Sequence, residues 1–152
     1  MTEEHQDGVE DSTQLVEVVL AVVRLLRETA SGKSMPAESL SLTEFRLLNR
    51  VAKCPRLAIE LASELDVTTA TISAAVNGLV QRGLVHRGAP SGDRRAVPLS
   101  ATDSGRKVLE AARMRQHHAL AVLLSHLRPE ERRALMTGIS GLARIFAGNE
   151  PP

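Results

Sequence analysis

The stretch that most constrains this chain runs from Leu57 to Ser100, LAIELASELDVTTATISAAVNGLVQRGLVHRGAPSGDRRAVPLS. Leu57 to Leu65 predicts a short amphipathic helix. Asp66 and Val67 make a tight turn, and a Thr cap opens a second helix from about Thr68 to Arg82. A strand follows over Leu84 to Arg87, then a Gly/Pro/Ser loop over Gly88 to Gly92. The charged run Asp93-Arg94-Arg95 leads into a returning strand, Ala96 to Ser100.

Two helices locked at a fixed angle and followed by a basic hairpin form a winged helix-turn-helix, here about residues 43–100. Such a helix pair sets its second member into the DNA major groove, and a basic hairpin beside it reaches the adjacent minor groove. Double-stranded DNA is therefore the expected partner. With Ile72 at the inward centre of the second helix, 100° per residue brings Thr68, Val76 and Leu79 to the buried face. Ala70, Ser73, Ala74, Asn77 and Gln81 then point outward. Asn77 suits a bidentate contact to adenine, and the Ala70 and Ala74 methyls suit thymine methyls. Thr71 and Ser73, with Thr69 beside them, are short donors suited to phosphates. Arg82, Arg87, Arg94 and Arg95 cluster in the helix end and hairpin, with Asp93 the single acid among them. Arg82, Arg94 and Arg95 are candidate DNA contacts. The plain alternative is an ordinary solvated face.

Composition narrows the classes. At 152 residues the chain suits one domain with a real core. Two Phe and no Trp or Tyr make that core aliphatic. No apolar run approaches the ~20 residues of a membrane span, and the acidic start does not fit a secretory signal. One Cys cannot build a disulfide framework, so a cytoplasmic setting is expected. The net charge of +1 hides an asymmetry: five acids and no base fall in residues 1–12, which leaves a formal +6 for the rest. A basic body suits a polyanion, though surplus Lys and Arg also simply solvate surfaces.

The expected architecture is mainly α with one small β-hairpin. Residues 1–11 are acidic and polar and predict disorder; residues 12–152 form a single domain. Ser12 or Thr13 caps a first helix to about Thr29, with Leu15, Val18, Val19, Val22, Leu25 and Leu26 on one face. Ser41 or Thr43 caps a second helix, Glu44 to about Lys53, and Ser41-x-x-Glu44 has capping-box spacing. Thr102 caps a long helix to about His126, and a last helix runs from Glu130 to about Ala147. The helices at about 12–29 and 102–147 carry more apolar surface than a winged unit needs as cover. They predict either an intramolecular bundle or a homodimer; a two-fold operator favours the dimer.

The sequence resembles the MarR family of bacterial transcriptional regulators over nearly its whole length. The resemblance rests on Leu42-Thr43-Glu44-Phe45, on Leu61-Ala62 and Leu65, and on Val67-Thr68-Thr69-Ala70-Thr71-Ile72-Ser73. It rests further on Leu79-Val80-Gln81-Arg82-Gly83-Leu84-Val85, on Asp93-Arg94-Arg95-Ala96, and on Leu99-Ser100-Ala101-Thr102-Asp103-Ser104-Gly105. The resemblance implies a homodimer on an inverted repeat, often a repressor, often released by a small phenolic or other anionic compound. In the hairpin Arg95 is the expected minor-groove residue and Arg94 the expected phosphate contact. The resemblance puts Asp93 beside Arg95 as the carboxylate that orients its guanidinium. The plain alternative is a solvated turn with a weak surface ion pair. The chain departs from the family on the recognition helix. Members commonly carry Arg or Lys there, often where this chain has Ala74, and Gly78 weakens the helix by roughly 1 kcal/mol relative to Ala.

For an effector, Arg46, Arg113, His117 and His118 are candidate anion donors beside the long helix; the plain alternative is a solvated helix surface. Cys54 has Lys53 and Arg56 nearby, so a thiol-redox switch is a second possibility, against a buried or incidental Cys. No phosphate loop, nucleophile elbow, cofactor motif or metal-ligand spacing is present, so neither catalysis nor a metal is expected. The competing non-enzymatic reading is a winged-helix dimer that has lost DNA binding and serves as a protein-interaction module.

Overall fold

The structure, a computed structural model, describes residues 3–30, 39–89 and 97–148. The elements are α1 (Glu3–Ala30), α2 (Leu42–Val51), α3 (Ala58–Leu65), α4 (Thr69–Gln81), β1 (Val85–Arg87), β2 (Leu99–Ala101), α5 (Asp103–Ser125) and α6 (Pro129–Gly148). The fold is mainly α with a small antiparallel hairpin, as the sequence predicts. Two units divide the chain, residues 1–116 and 117–152.

Capping chemistry sets the helix boundaries in the first unit. The Ser41 hydroxyl accepts the Glu44 N–H at 3.2 Å while Glu44 Oε2 accepts the Ser41 N–H at 2.8 Å, a complete capping box. The Thr68 hydroxyl accepts the Thr71 N–H at 3.1 Å and opens α4. That duty keeps Thr68 at the exposed helix start, not on the buried face expected for it. Between α3 and α4, Asp66 turns the chain in the left-handed region, φ 52°, a conformation that Asp tolerates better than most residues. Gly83, at φ 66°, ends α4. Its N–H donates to Val80 O at 2.9 Å and the Leu84 N–H to Leu79 O at 2.9 Å, the paired bonds of a Schellman stop.

α1 departs from expectation. It begins at Glu3, so the acidic stretch expected to be disordered is helical, and Ser12 and Thr13 lie inside the helix. Once the Val- and Leu-rich turns nucleate, each added residue gains a hydrogen bond for little entropy. Glu and Gln are good helix formers, and no Pro interrupts Glu3 to Asp11.

An aliphatic core holds α2, α3, α4, the hairpin and the start of α5 together. Leu47, Leu48 and Val51 meet Leu61 and Leu65 of α3 and Ile72, Val76 and Leu79 of α4, all nearly inaccessible. Leu84, Leu99, Leu109 and Ala112 close it from the other side. In the hairpin Val85 opposes Ala101 and Arg87 opposes Leu99. Arg56, outside the hairpin, bridges to β2: its N–H donates to Leu99 O at 3.1 Å, and the Leu99 N–H donates back to Arg56 O at 2.8 Å. α1 is tethered to α5 by Gln116 Nε2 donating to Leu26 O at 3.3 Å and Arg115 Nε donating to Thr29 O at 3.2 Å. Leu15, Val18 and Val19 remain exposed on α1, whereas Val22, Leu25 and Leu26 are half-buried.

Two polar contacts fix α4 and α5. Arg82 Nη1 donates to Glu44 Oε1 at 3.1 Å and Nη2 donates to Ser39 O at 2.7 Å. Gly78 makes room for that carboxylate: a Cβ there would lie 3.3 Å from Glu44 Oε1. The Thr102 hydroxyl donates to Gly83 O at 2.7 Å and accepts the Gly105 N–H at 3.0 Å, capping α5 against the end of α4.

In the second unit, α6 opens on Pro129 with Arg128 as its cap. The Arg128 N–H donates to Glu131 Oε2 at 2.9 Å and its Nη2 to Oε1 at 2.6 Å. The neighbouring Arg128 guanidinium holds the Glu131 carboxyl below the usual carboxylate range. Leu135, Met136, Ile139, Leu142, Ile145 and Phe146 are exposed along α6, from 41% to 71%. Among the described residues no helix is long and apolar enough to cross a membrane.

Gly105 packs directly on the Leu84 carbonyl, where an added Cβ would meet the oxygen at 2.1 Å. Gly105→Ala is expected to destabilise the fold by about 1–3 kcal/mol or more, since backbone must move to admit the methyl. A lowered urea midpoint at unchanged m checks this. Arg82→Met is expected to cost about 1–2 kcal/mol, discounted for partial exposure. Glu44→Gln should then add little in the Arg82→Met background; additive losses in a double-mutant cycle contradict the pairing.

Candidate nucleic-acid interface

α4 presents one face to the core and the other to solvent. Ile72, Val76 and Leu79 are buried, while Thr69, Ala70, Thr71, Ser73, Ala74, Asn77 and Gln81 are exposed. The outward set therefore lies where the 100° wheel places it. The exposed face carries no cation of its own. Its start is stiffened by the Thr68 and Thr71 hydroxyls, whose oxygens are 2.8 Å apart, so the Thr71 hydroxyl already has a local partner.

Arg82 does not join this face. Its guanidinium is held by Glu44 and the Ser39 carbonyl at the start of α2, which corrects its expected role as a DNA contact. The physical reason is the Gly83 stop. It ends α4 so that Arg82 lies within reach of the Glu44 carboxylate, and an ion pair with a half-buried acid outcompetes solvent.

Arg87 takes a place that the sequence reading left empty. Val85 and Arg87 are two residues apart and share one side of the hairpin. Val85 is buried against the core. Arg87, one pleat farther out, reaches the edge of α4, and its Nη2 donates to Asn77 Oδ1 at 2.7 Å. Asn77 thus spends part of its acceptor capacity on Arg87, where the sequence reading gave it wholly to adenine. Arg87 and Ser73 also border a shallow apolar groove of about 320 Å³ with Leu57, Ala58, Val76 and Val97. The period-2 pattern of the strand was the available signal.

Asp93, Arg94 and Arg95 lie outside the described residues. Beyond β1 and before β2, the Gly88 N–H donates to Pro98 O at 2.8 Å.

A second concave region lies within the first unit, between the end of α2 and α5. It has a volume of about 460 Å³ and is bordered by Lys53, Arg106, Lys107, Leu109, Glu110 and Arg113. Arg106 Nη1 donates to Ala52 O at 2.6 Å. Arg113 donates to Asn49 Oδ1 and, at 3.4 Å, to Glu110 Oε2. Of the four expected anion donors, Arg113 borders this hollow. Arg46 is exposed on α2 and is not part of it, and His117 and His118 are exposed on α5. Cys54 is exposed, not buried, in the turn after α2.

Residues 39–96, the segment from the start of α2 through the hairpin loop, match the model of the MarR family. No curated protein sequence matches the chain. Among solved structures, the transcriptional regulator BldR from Sulfolobus solfataricus is 27% identical, with a TM-score of 0.69 over 95% of this chain and 99% of that one. The MarR-family protein Rv2887 of Mycobacterium tuberculosis, solved with p-aminosalicylic acid, is 26% identical, with a TM-score of 0.62 over 85% of this chain and 98% of that one. Rv1404 from Mycobacterium tuberculosis shares the fold with a TM-score of 0.73 at 23% identity, over 99% of both chains. The chain thus carries a segment that matches the MarR family model and, along almost its whole length, is similar in fold to transcriptional regulators of that family.

Proposed function

We propose that this chain is a homodimeric, sequence-specific repressor that binds an inverted repeat in duplex DNA and is released by a small anionic or phenolic compound. The observation that carries the DNA-binding reading is α4, an exposed polar helix face opposite a buried one, followed at once by the β1–β2 hairpin. In this reading the Ala70 and Ala74 methyls meet thymine methyls in the major groove, and Thr69, Thr71 and Ser73 face the groove edge and phosphates. Arg95 enters the minor groove, oriented by Asp93, while Arg94 contacts phosphate. With a neutral α4 face, affinity leans on the hairpin, and A·T-rich half-sites fit best.

The dimer reading is supported by the apolar residues that each terminal helix leaves in solvent. Exposed Leu15, Val18 and Val19 on α1 and exposed Leu142, Ile145 and Phe146 on α6 are surfaces that a second copy would cover. Two copies related by a two-fold axis match half-sites about one helical turn apart. The effector reading is supported by the cationic border of the hollow between α2 and α5, where Lys53, Arg106, Lys107 and Arg113 outnumber Glu110. It is supported also by the p-aminosalicylic acid found with the Mycobacterium tuberculosis relative.

The test is binding to duplexes that the protein itself selects from random sequence. A full inverted repeat is expected to bind far more tightly than a single half-site, with affinity falling as salt rises. Equal affinity for both, measured by fluorescence anisotropy, contradicts the dimeric reader. For the effector, p-aminosalicylate is expected to lower operator affinity and to bind the DNA-free protein more tightly by the same factor. Calorimetry that gives one affinity with and without operator removes the aromatic carboxylate as inducer. A loss of DNA binding that follows only oxidation, and vanishes in Cys54→Ser, replaces it with a redox switch.

A further inference from the structure

We infer that Arg87 is a phosphate clamp that fixes the register of α4 on DNA, and that Asn77 is the residue that positions it. This rests on the DNA-binding reading above. The outward face of α4 is uncharged, and Arg82, the cation nearest its end in sequence, is turned away to Glu44. The guanidinium that does lie on this face comes from β1, where Arg87 Nη2 donates to Asn77 Oδ1 at 2.7 Å. Arg87 is exposed, and among the described residues no carboxylate pairs with it.

The choice of partner matters. A carboxylate would orient the guanidinium and also cancel its charge. The Asn77 amide oxygen orients it and leaves the charge whole. A guanidinium has five N–H donors in a planar fork, so the one given to Asn77 leaves enough for a bidentate contact to a phosphate. The side-chain entropy of a long Arg is thereby lost before DNA arrives, not on binding.

Chain order selects phosphate over a base edge. β1 follows α4 directly and leads into the hairpin loop. With α4 in the major groove and the hairpin tip at the minor groove, the strand between them crosses the sugar-phosphate ridge that separates the two grooves. Arg87 lies on that crossing segment, toward α4.

The experiment uses the full-length protein and the duplex it selects, with binding measured by anisotropy over a series of salt concentrations. Arg87→Ala is expected to reduce the slope of log K against log salt by about 0.9 per protomer, with the order of preference among duplexes unchanged. Arg87→Lys should keep most of the slope while losing affinity, because an ammonium cannot take the oriented fork. Asn77→Ala should weaken binding in the native background and have little further effect once Arg87 is Ala. Unfolding midpoints of the variants establish that each is folded. An unchanged slope in Arg87→Ala overturns the clamp, as does a change of base preference at one position. Independent, additive losses at Asn77 and Arg87 overturn the positioning role. If the unsubstituted protein shows no salt-dependent binding to any duplex, the DNA-binding reading itself fails and the clamp with it.

Discussion

A helix can present one fixed face only if it cannot roll about its own axis, and in this molecule that constraint falls on Ile72, Val76 and Leu79. Their burial against α2 and α3 leaves one way for α4 to face. Polar contacts at the two ends then fix what an apolar stripe leaves loose. Thr68 anchors the start, and the Gly83 stop with the Arg82–Glu44 pair anchors the finish. Glu44 serves two elements at once, since one carboxylate oxygen caps α2 while the other receives Arg82. Gly78 gives up roughly 1 kcal/mol of helix propensity relative to Ala, and that sacrifice admits the carboxylate against the flank of α4.

The parts of the fold that were legible in the sequence are those decided within a few residues. Ser41 and Glu44, Thr68 and Thr71, and Thr102 and Gly105 are all three apart, and their spacing alone predicts a cap. The buried face of α4 follows from periodicity, because the core it faces is uniformly aliphatic. The start of α1 departs from local polarity for a related reason. Polarity predicts that Glu3 to Asp11 has little to bury, but a helix already nucleated needs no core to extend.

The polar parts of the candidate site were less legible, because they depend on pairs distant in sequence. Arg82 and Glu44 are 38 residues apart, and Arg87 and Asn77 are 10 apart across a turn and a change of element. In sequence the four arginines near the hairpin look equivalent. Placement separates the two that are described: one staples the fold, and the other lies on the surface beside α4. A count of basic residues therefore overstates how many are free to meet a polyanion and conceals which element presents them.

The joint at Gly105 and Leu84 has a bearing on how such a protein diversifies. There the tolerance is that of one hydrogen atom, since a methyl would overlap the Leu84 carbonyl. A few residues away, the rung between Gly88 and Pro98 seals the hairpin below its tip. Chain inserted above that rung costs little, about 0.6 kcal/mol for each doubling of loop length. Mutational freedom is thus distributed steeply over a short span of chain.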